Sequence, residues 1–245
     1  MAAAAVLGTT VPGVPVAAGE LSDVSISIQS VTEVTDVARY RLTRQLAEGG
    51  CEARVYFGEA EPAAALEFRV GETPTGAVLV ARNRNGNPPR PAWVTRRTAG
   101  VGSIAELAGR DLSTVAGPDP LGSRLPLAVL ADVGVRPSRQ QLYEAGDYSS
   151  ALGLLLHSNT HAAVTELGFV EPMLENNGLV VTWAGKPVQA GGWYRGAGWN
   201  RSALVCEEVL AGLTRSGDRQ IFVVFPEWVY GFTRPERLNS EEVSQ

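Results

Sequence analysis

Trp93 to Pro126 reads WVTRRTAGVGSIAELAGRDLSTVAGPDPLGSRLP. Ala92 to Arg96 opens the stretch as a strand-like run, and Ser103-Ile104-Ala105-Glu106 places serine and glutamate at the spacing of a capping box, where each side chain satisfies the other's backbone N–H at a helix start. Leu112 to Ala116 then reads as a second strand, followed by an Asp119-Pro120 loop and a helix over Ser123 to Val133. β-rich runs alternating with helical patterns are the sequence form of an α/β fold with a largely parallel sheet.

The same alternation extends in both directions. Upstream, Val24-Ser25-Ile26-Ser27-Ile28 alternates as a first strand. Ser30-Val31-Thr32-Glu33 is a capping box for a helix with Val34, Val37, Ala38, Arg41 and Leu42 on one face, closed by Gly49-Gly50. A strand is expected at Ala53 to Phe57, a helix at Pro62 to Val70, and a short buried strand at Ala77 to Ala81. Asn83 to Pro91, NRNGNPPRP, must be loop and makes a natural boundary between two lobes. Downstream, strands are expected at Gln141 to Glu144, Ala162 to Glu166 and Leu179 to Trp183, with a helix at Ser149 to Leu156. Asn200 is a good N-cap for a last helix through Leu213.

Composition narrows the function classes. The chain has 245 residues, 44% of them hydrophobic and 19% charged, enough for a real core. A net charge of −5 and no basic block longer than Arg96-Arg97 argue against nucleic acid, whose phosphates need a basic face. Lys186 is the single lysine, a sign of base composition rather than chemistry. Residues 1–20 are rich in small uncharged side chains and end near Val16-Ala17-Ala18, like the apolar and cleavage portions of an export signal without its basic front end; a disordered Ala/Pro tail is the other reading. No other stretch approaches the roughly 20 apolar residues of a membrane span. Cys51 and Cys206 lack any CxxC spacing, and His157 and His161 are the only histidines, so neither a metal nor a cofactor is expected. The two cysteines read as separate buried thiols, with one disulfide as the alternative in an exported protein.

The central stretch resembles the phosphate/phosphite/phosphonate-type, PhnD-like solute-binding proteins of the type 2 periplasmic binding protein superfamily. The resemblance is carried by Val94-Thr95-Arg96, Gly102 to Leu107, Gly109-Arg110-Asp111, Leu112 to Ala116, Asp119-Pro120, Gly122 and Pro126, and continues through Leu130, Gly134 and Val135 into Gly146-Asp147-Tyr148-Ser149-Ser150-Ala151. It implies a two-lobed α/β fold, each lobe a mostly parallel sheet flanked by helices, with the ligand between them. Lobe 1 is then 21–90 plus 186–245, and lobe 2 is 91–185. The chain is short for this family, chiefly between Tyr56 and Ala92, so its first lobe should be pared down.

Under that fold three helix starts converge on the cleft, where unpaired N–H groups and a partial positive charge hold anions without lysine. They are Gln29-Ser30-Val31, Gly122-Ser123-Arg124 and Asp147-Tyr148-Ser149-Ser150. The hydroxyls of Ser30, Ser123, Tyr148, Ser149 and Ser150 can donate as well, and Arg124 can add a bidentate clamp. The sequence departs from the family where Leu121-Gly122-Ser123 replaces a Ser-Thr-Ser-Gly run, Tyr148 stands at a common histidine, and His161 stands at an aspartate that helps hold a substrate amine. His161 is a candidate pH-sensitive cleft residue or a structural histidine, and Glu166 a further cleft candidate. Trp183, Trp193, Tyr194 and Trp199, among glycines, can wall a cleft, cover a hinge or dock a partner, and Trp193 is taken as a ligand contact.

The resemblance implies an extracytoplasmic protein, expected to be a monomer, that captures a small anionic solute by cleft closure for an ABC transporter or a sensor. An accessory or scaffold protein that has lost tight ligand binding is the alternative. Catalysis is disfavoured, because no G-x-S-x-G, Walker or HExxH motif is present and only His161 with Glu166 or Asp147 offers a pairing.

Overall fold

The computed structural model describes residues 24–29, 35–58, 63–71 and 76–235. The signal-like segment, Ser30 and its capping box lie outside these residues. In chain order the elements are β1 (Val24–Ile28), α1 (Asp36–Glu48), β2 (Ala53–Phe57), β3 (Leu66–Val70), β4 (Leu79–Arg82), β5 (Pro91–Arg96), β6 (Leu112–Val115), α2 (Arg124–Asp132), β7 (Leu142–Ala145) and α3 (Tyr148–Leu156). There follow β8 (Ala162–Glu166), α4 (Leu167–Val170), β9 (Leu179–Ala184), β10 (Gly191–Arg195), α5 (Ala203–Gly212) and β11 (Gly231–Thr233).

The strands form two sheets. One has the order β11-β4-β10-β3-β1-β2, the other β7-β6-β8-β5-β9. The chain therefore passes from the first sheet to the second between β4 and β5, and returns between β9 and β10. β1, β2 and β3 run parallel, whereas β10 enters antiparallel between β3 and β4. In the second sheet β6 is parallel to β7 and β8, and β5 is antiparallel to β8 and β9. The C-terminal ends of β6, β7 and β8 consequently share one edge, where ligands collect in open α/β sheets.

The N-cap of α5 is Ser202 rather than Asn200, whose Oδ1 accepts from the Ser202 N–H at 2.8 Å. Three further expectations need correction. The helix expected over Pro62 to Val70 is strand β3 from Leu66 onward: Leu66-Glu67-Phe68-Arg69-Val70 has period two, with Leu66, Phe68 and Val70 buried and Arg69 exposed. Helix α1 starts later than the Ser30 box suggests, and its N-cap is Thr35, whose Oγ1 accepts from the Ala38 N–H at 3.2 Å. Cys51 and Cys206 are not separate thiols but a disulfide, with Cα atoms 4.8 Å apart. The cause is the packing of α1 against α5: a Cβ at Gly49 would land on the Val209 side chain, so glycine lets the helices approach closely enough for the sulfurs to meet.

The crossings are tied to each other. Arg90 Nε donates to the Gly185 carbonyl at 2.9 Å, Gly185 N–H to Pro91 O at 2.8 Å, and Val188 N–H to Pro89 O at 3.0 Å. Glu166, at the end of β8, is fully buried beside them. Its carboxylate accepts from Asn83 Nδ2 (3.0 Å), Arg90 N–H (3.0 Å) and Phe169 N–H (2.8 Å). Burial raises its pKa above the usual carboxylate value, against the pull of those donors. Glu166 thus organises the junction.

Among the described residues the larger of two apolar clusters runs through both sheets, from Ile26, Phe68 and Trp193 to Trp93, Leu112 and Tyr148, with Phe222, Phe225 and Trp228 among its members.

Candidate functional site

A cavity of about 310 Å³ opens between the lobes, lined on one side by Val115, Ala116, Asp119 and Gly146 to Tyr148, on the other by Arg215, Val223 and Phe225 to Glu227. The first group comes from the C-terminal ends of β6 and β7 and the start of α3. The second belongs to the segment between α5 and β11. Its apolar walls end on a few convergent polar groups, the usual makeup of a small-molecule site.

Asp119 sits at the bottom of this cavity, 4% exposed. Its Oδ2 accepts from the Tyr148 hydroxyl at 2.8 Å and from Trp228 Nε1 at 2.7 Å, while Oδ1 accepts from the Leu121 N–H at 3.0 Å. Trp228 comes from the lobe opposite, so Asp119 joins the two. Burial raises its pKa to about 6, because desolvation outweighs the three donors that favour the charged form. Desolvation and the neighbouring Asp119 carboxylate push the Tyr148 phenol up as well.

Helix α3 begins at the cavity wall. Asp147 is its N-cap, with Oδ1 accepting from the Ser150 N–H at 2.7 Å. The next free donors, the N–H and hydroxyl of Ser149, meet the Glu227 carboxylate of the other lobe at 2.8 and 2.5 Å. Arg215 faces the same cavity. Its Nε donates to Val229 O, and its Nη2 to Phe222 O and Pro226 O, all between 2.7 and 3.0 Å. Burial lowers its pKa to about 10, against the opposite pull of Tyr230 and Glu227. The guanidinium's hydrogen bonds thus go to carbonyls, it lies beside two rings, and the Glu227 carboxylate that lines the same cavity acts on its charge.

Of the sequence candidates, Asp147 and Tyr148 line the cavity, while Ser149 and Ser150 stand exposed on the first turn of α3 beside it, Ser149 bonded to the cavity-lining Glu227. Gly122 lies behind the wall, where its carbonyl accepts from the Val115 N–H at 2.8 Å and an added Cβ would fall 2.8 Å from Val115 Cβ. The Asp119-Pro120 loop spends its own donors internally, with Gly122 N–H on Asp119 O and Leu125 N–H on Pro120 O. Ser123 and the exposed Arg124 do not line the cavity. Gln29 lines a different one of about 280 Å³ with Ser27, Gly58, Glu67, Phe68 and Arg69, where its Oε1 accepts from the Val70 N–H.

Two candidates are placed away from the cavity. His161 precedes β8, so it stands at the N-terminal edge of the parallel strands, opposite the cavity; its Nδ1 accepts from the Asp111 N–H at 3.3 Å. Trp193 is fully buried in the first lobe, 5.4 Å from Phe68 and 6.1 Å from Phe225 between ring centroids. Trp199 serves a second network, donating from Nε1 to buried Glu207, which Arg195 also grips at 2.8 and 3.0 Å.

No protein-family model matches the sequence, and no curated protein does. Solved structures match over most of their length. A binding protein component of an ABC phosphonate transporter from Pseudomonas aeruginosa aligns with a TM-score of 0.60 at 8% identity, over 86% of this chain and 81% of that one. PhnD1 from Prochlorococcus marinus, in complex with methylphosphonate, aligns at 0.59 and 13% identity, over 87% and 93%. The fold is that of the type 2 periplasmic binding proteins. A Xanthomonas citri protein bound to ATP shares it, at a TM-score of 0.58 and 14% identity over 87% and 91%. At these identities the likeness extends to the fold alone, and the chain is a divergent example of it.

Arg215, Glu227 and Trp228 escaped the sequence reading. The one available signal was a lone acid inside the aromatic run Phe225-Pro226-Glu227-Trp228-Val229-Tyr230.

Proposed function

We propose that this chain is an extracytoplasmic solute-binding protein that captures a small oxyanion, of the phosphate, phosphite or phosphonate kind, by cleft closure and hands it to an ABC transporter or a sensor. The observation that carries this reading is the seat at the start of α3. It borders an inter-lobe cavity that Asp147, Tyr148 and Arg215 line, and its Ser149 N–H and hydroxyl already donate to the carboxylate of Glu227 from the cavity's other wall. Helix starts and guanidinium groups are the donors that bind oxyanions in water-poor clefts. The methylphosphonate held by PhnD1 on the same fold supports the ligand class.

The lobes are taken as 21–90 plus 186–245 and 91–185, the division that the two sheets favour. The Cys51–Cys206 disulfide supports an oxidising compartment. Among the described residues no helix is long and apolar enough to cross a membrane. Neighbours in fold are binding proteins, and the reading is of a protein that binds without turnover.

Thermal unfolding with phosphate, phosphite, methylphosphonate and sulfate tests capture directly. A ligand at about 100 times its Kd adds about 2.7 kcal/mol. No shift with any of them would refute capture. It would favour a second reading, an accessory or scaffold protein locked closed, which the direct Trp228–Asp119 and Glu227–Ser149 bonds between the lobes support.

A further inference from the structure

We propose that Glu227 is a tethered occupant of the anion seat on α3, so that an oxyanion entering the cleft must displace it. The inference rests on the capture reading and adds to it the residue that sets affinity. Asp147 already caps α3 through the Ser150 N–H. Glu227 is therefore a second carboxylate on the same helical turn, delivered from the opposite lobe and 78 residues away in sequence. Asp147 belongs to the helix it caps whereas Glu227 reaches it from the other lobe, so separation of the lobes removes the second and leaves the first.

The backbone around Glu227 is held while its side chain lies at the cavity rim. Trp228 is anchored to Asp119, the Pro226 carbonyl to Arg215, and the Val229 N–H returns to Pro226 O at 2.9 Å. A group fixed this way competes at a high effective concentration, whatever the amount of free ligand. When it leaves, the Ser149 N–H and hydroxyl are released at the cavity rim, and Arg215, which lines the cavity beside Glu227, loses the carboxylate that acts on its charge. The carboxylate thus fills the place of one oxyanion edge, and it also bonds one lobe to the other.

Calorimetric titration of wild type, E227Q and E227A with phosphate, sulfate and methylphosphonate tests the assignment. E227Q keeps the side chain's shape and guards against a folding defect in E227A. The apparent affinity of an occluded site is reduced by the fraction of time it is free, so both variants should bind one of these anions roughly tenfold or more tighter than wild type. Equal affinity in all three proteins overturns the occupant role and leaves capture standing. Weaker binding by the variants also overturns it, because Glu227 would then be a ligand contact. Binding by none of the three proteins overturns both capture and occupancy. If Glu227 were only an extra helix cap, E227A would lose thermal stability without gaining affinity.

Discussion

Replacing Asp119 by asparagine should remove a pH dependence of stability that the wild type carries. The native carboxyl titrates at about 6, against 3.8 for its ordinary value. The folded protein therefore binds its proton more tightly than the unfolded chain does. The stability this contributes is fully present below pH 3.8, and is lost as the pH rises through about 6. At about 1.4 kcal/mol for each tenfold change in proton affinity, the loss is about 3 kcal/mol. Asparagine does not titrate. It also cannot accept from Tyr148, Trp228 and Leu121 together with one oxygen, so the variant carries a constant deficit of about 1–3 kcal/mol. Urea unfolding followed by tryptophan fluorescence, from pH 3.5 to 8, measures both proteins. Glu207 and Asp218 titrate in the opposite direction, remain in both proteins and cancel in the difference, whereas Glu166, which titrates in the same direction, cancels only in part because its charge also acts on Asp119. The gap between the two curves should change by about 3 kcal/mol in favour of D119N between the acid and neutral ends. Curves that stay parallel across this range would refute the account of Asp119 as a carboxyl dominated by desolvation.

Trp228→Phe should cost about 1–3 kcal/mol through the lost donor to Asp119, and should move the pH transition upward because the charged carboxylate loses a partner. The same urea series reads both effects, and in D119N/W228F they should be less than additive. The C51A/C206A variant should lose about 4–5 kcal/mol, the loop-closure value for a separation of 155 residues, seen as a lower urea midpoint that reducing agent no longer alters. An unchanged midpoint would argue that the cross-link adds nothing to the packing of α1 on α5.

Elements whose signal is local were legible in the sequence. β1 shows in its alternation, β6 and β8 in their β-branched runs, and the start of α3 in Asp147 and its serines. β3 was misread because Pro62 and the alanines after it suit a helix start, although the residues that pair with β1 alternate. β10 was missed because Gly191-Gly192 reads as a break. Within the sheet it lies so close to β4 that a Cβ at Gly192 would fall 2.6 Å from the Leu79 carbonyl oxygen, a constraint that comes from across the fold. His161 required strand polarity, since either end of β8 fits the sequence. Half of the cavity was illegible for the same reason: Arg215, Glu227 and Trp228 meet Asp119 and Ser149 only after the chain has left the first lobe, built the second and returned.

The Cys51–Cys206 bond closes that excursion into a ring. Every residue of β5 to β9 lies between the two sulfurs, so the whole second lobe is a covalent loop hung from the first. A protease that nicks the exposed turns of this lobe would leave both fragments joined and running as one band until reduced. Under oxidising conditions the cleft would then survive a cut that would otherwise release half of it.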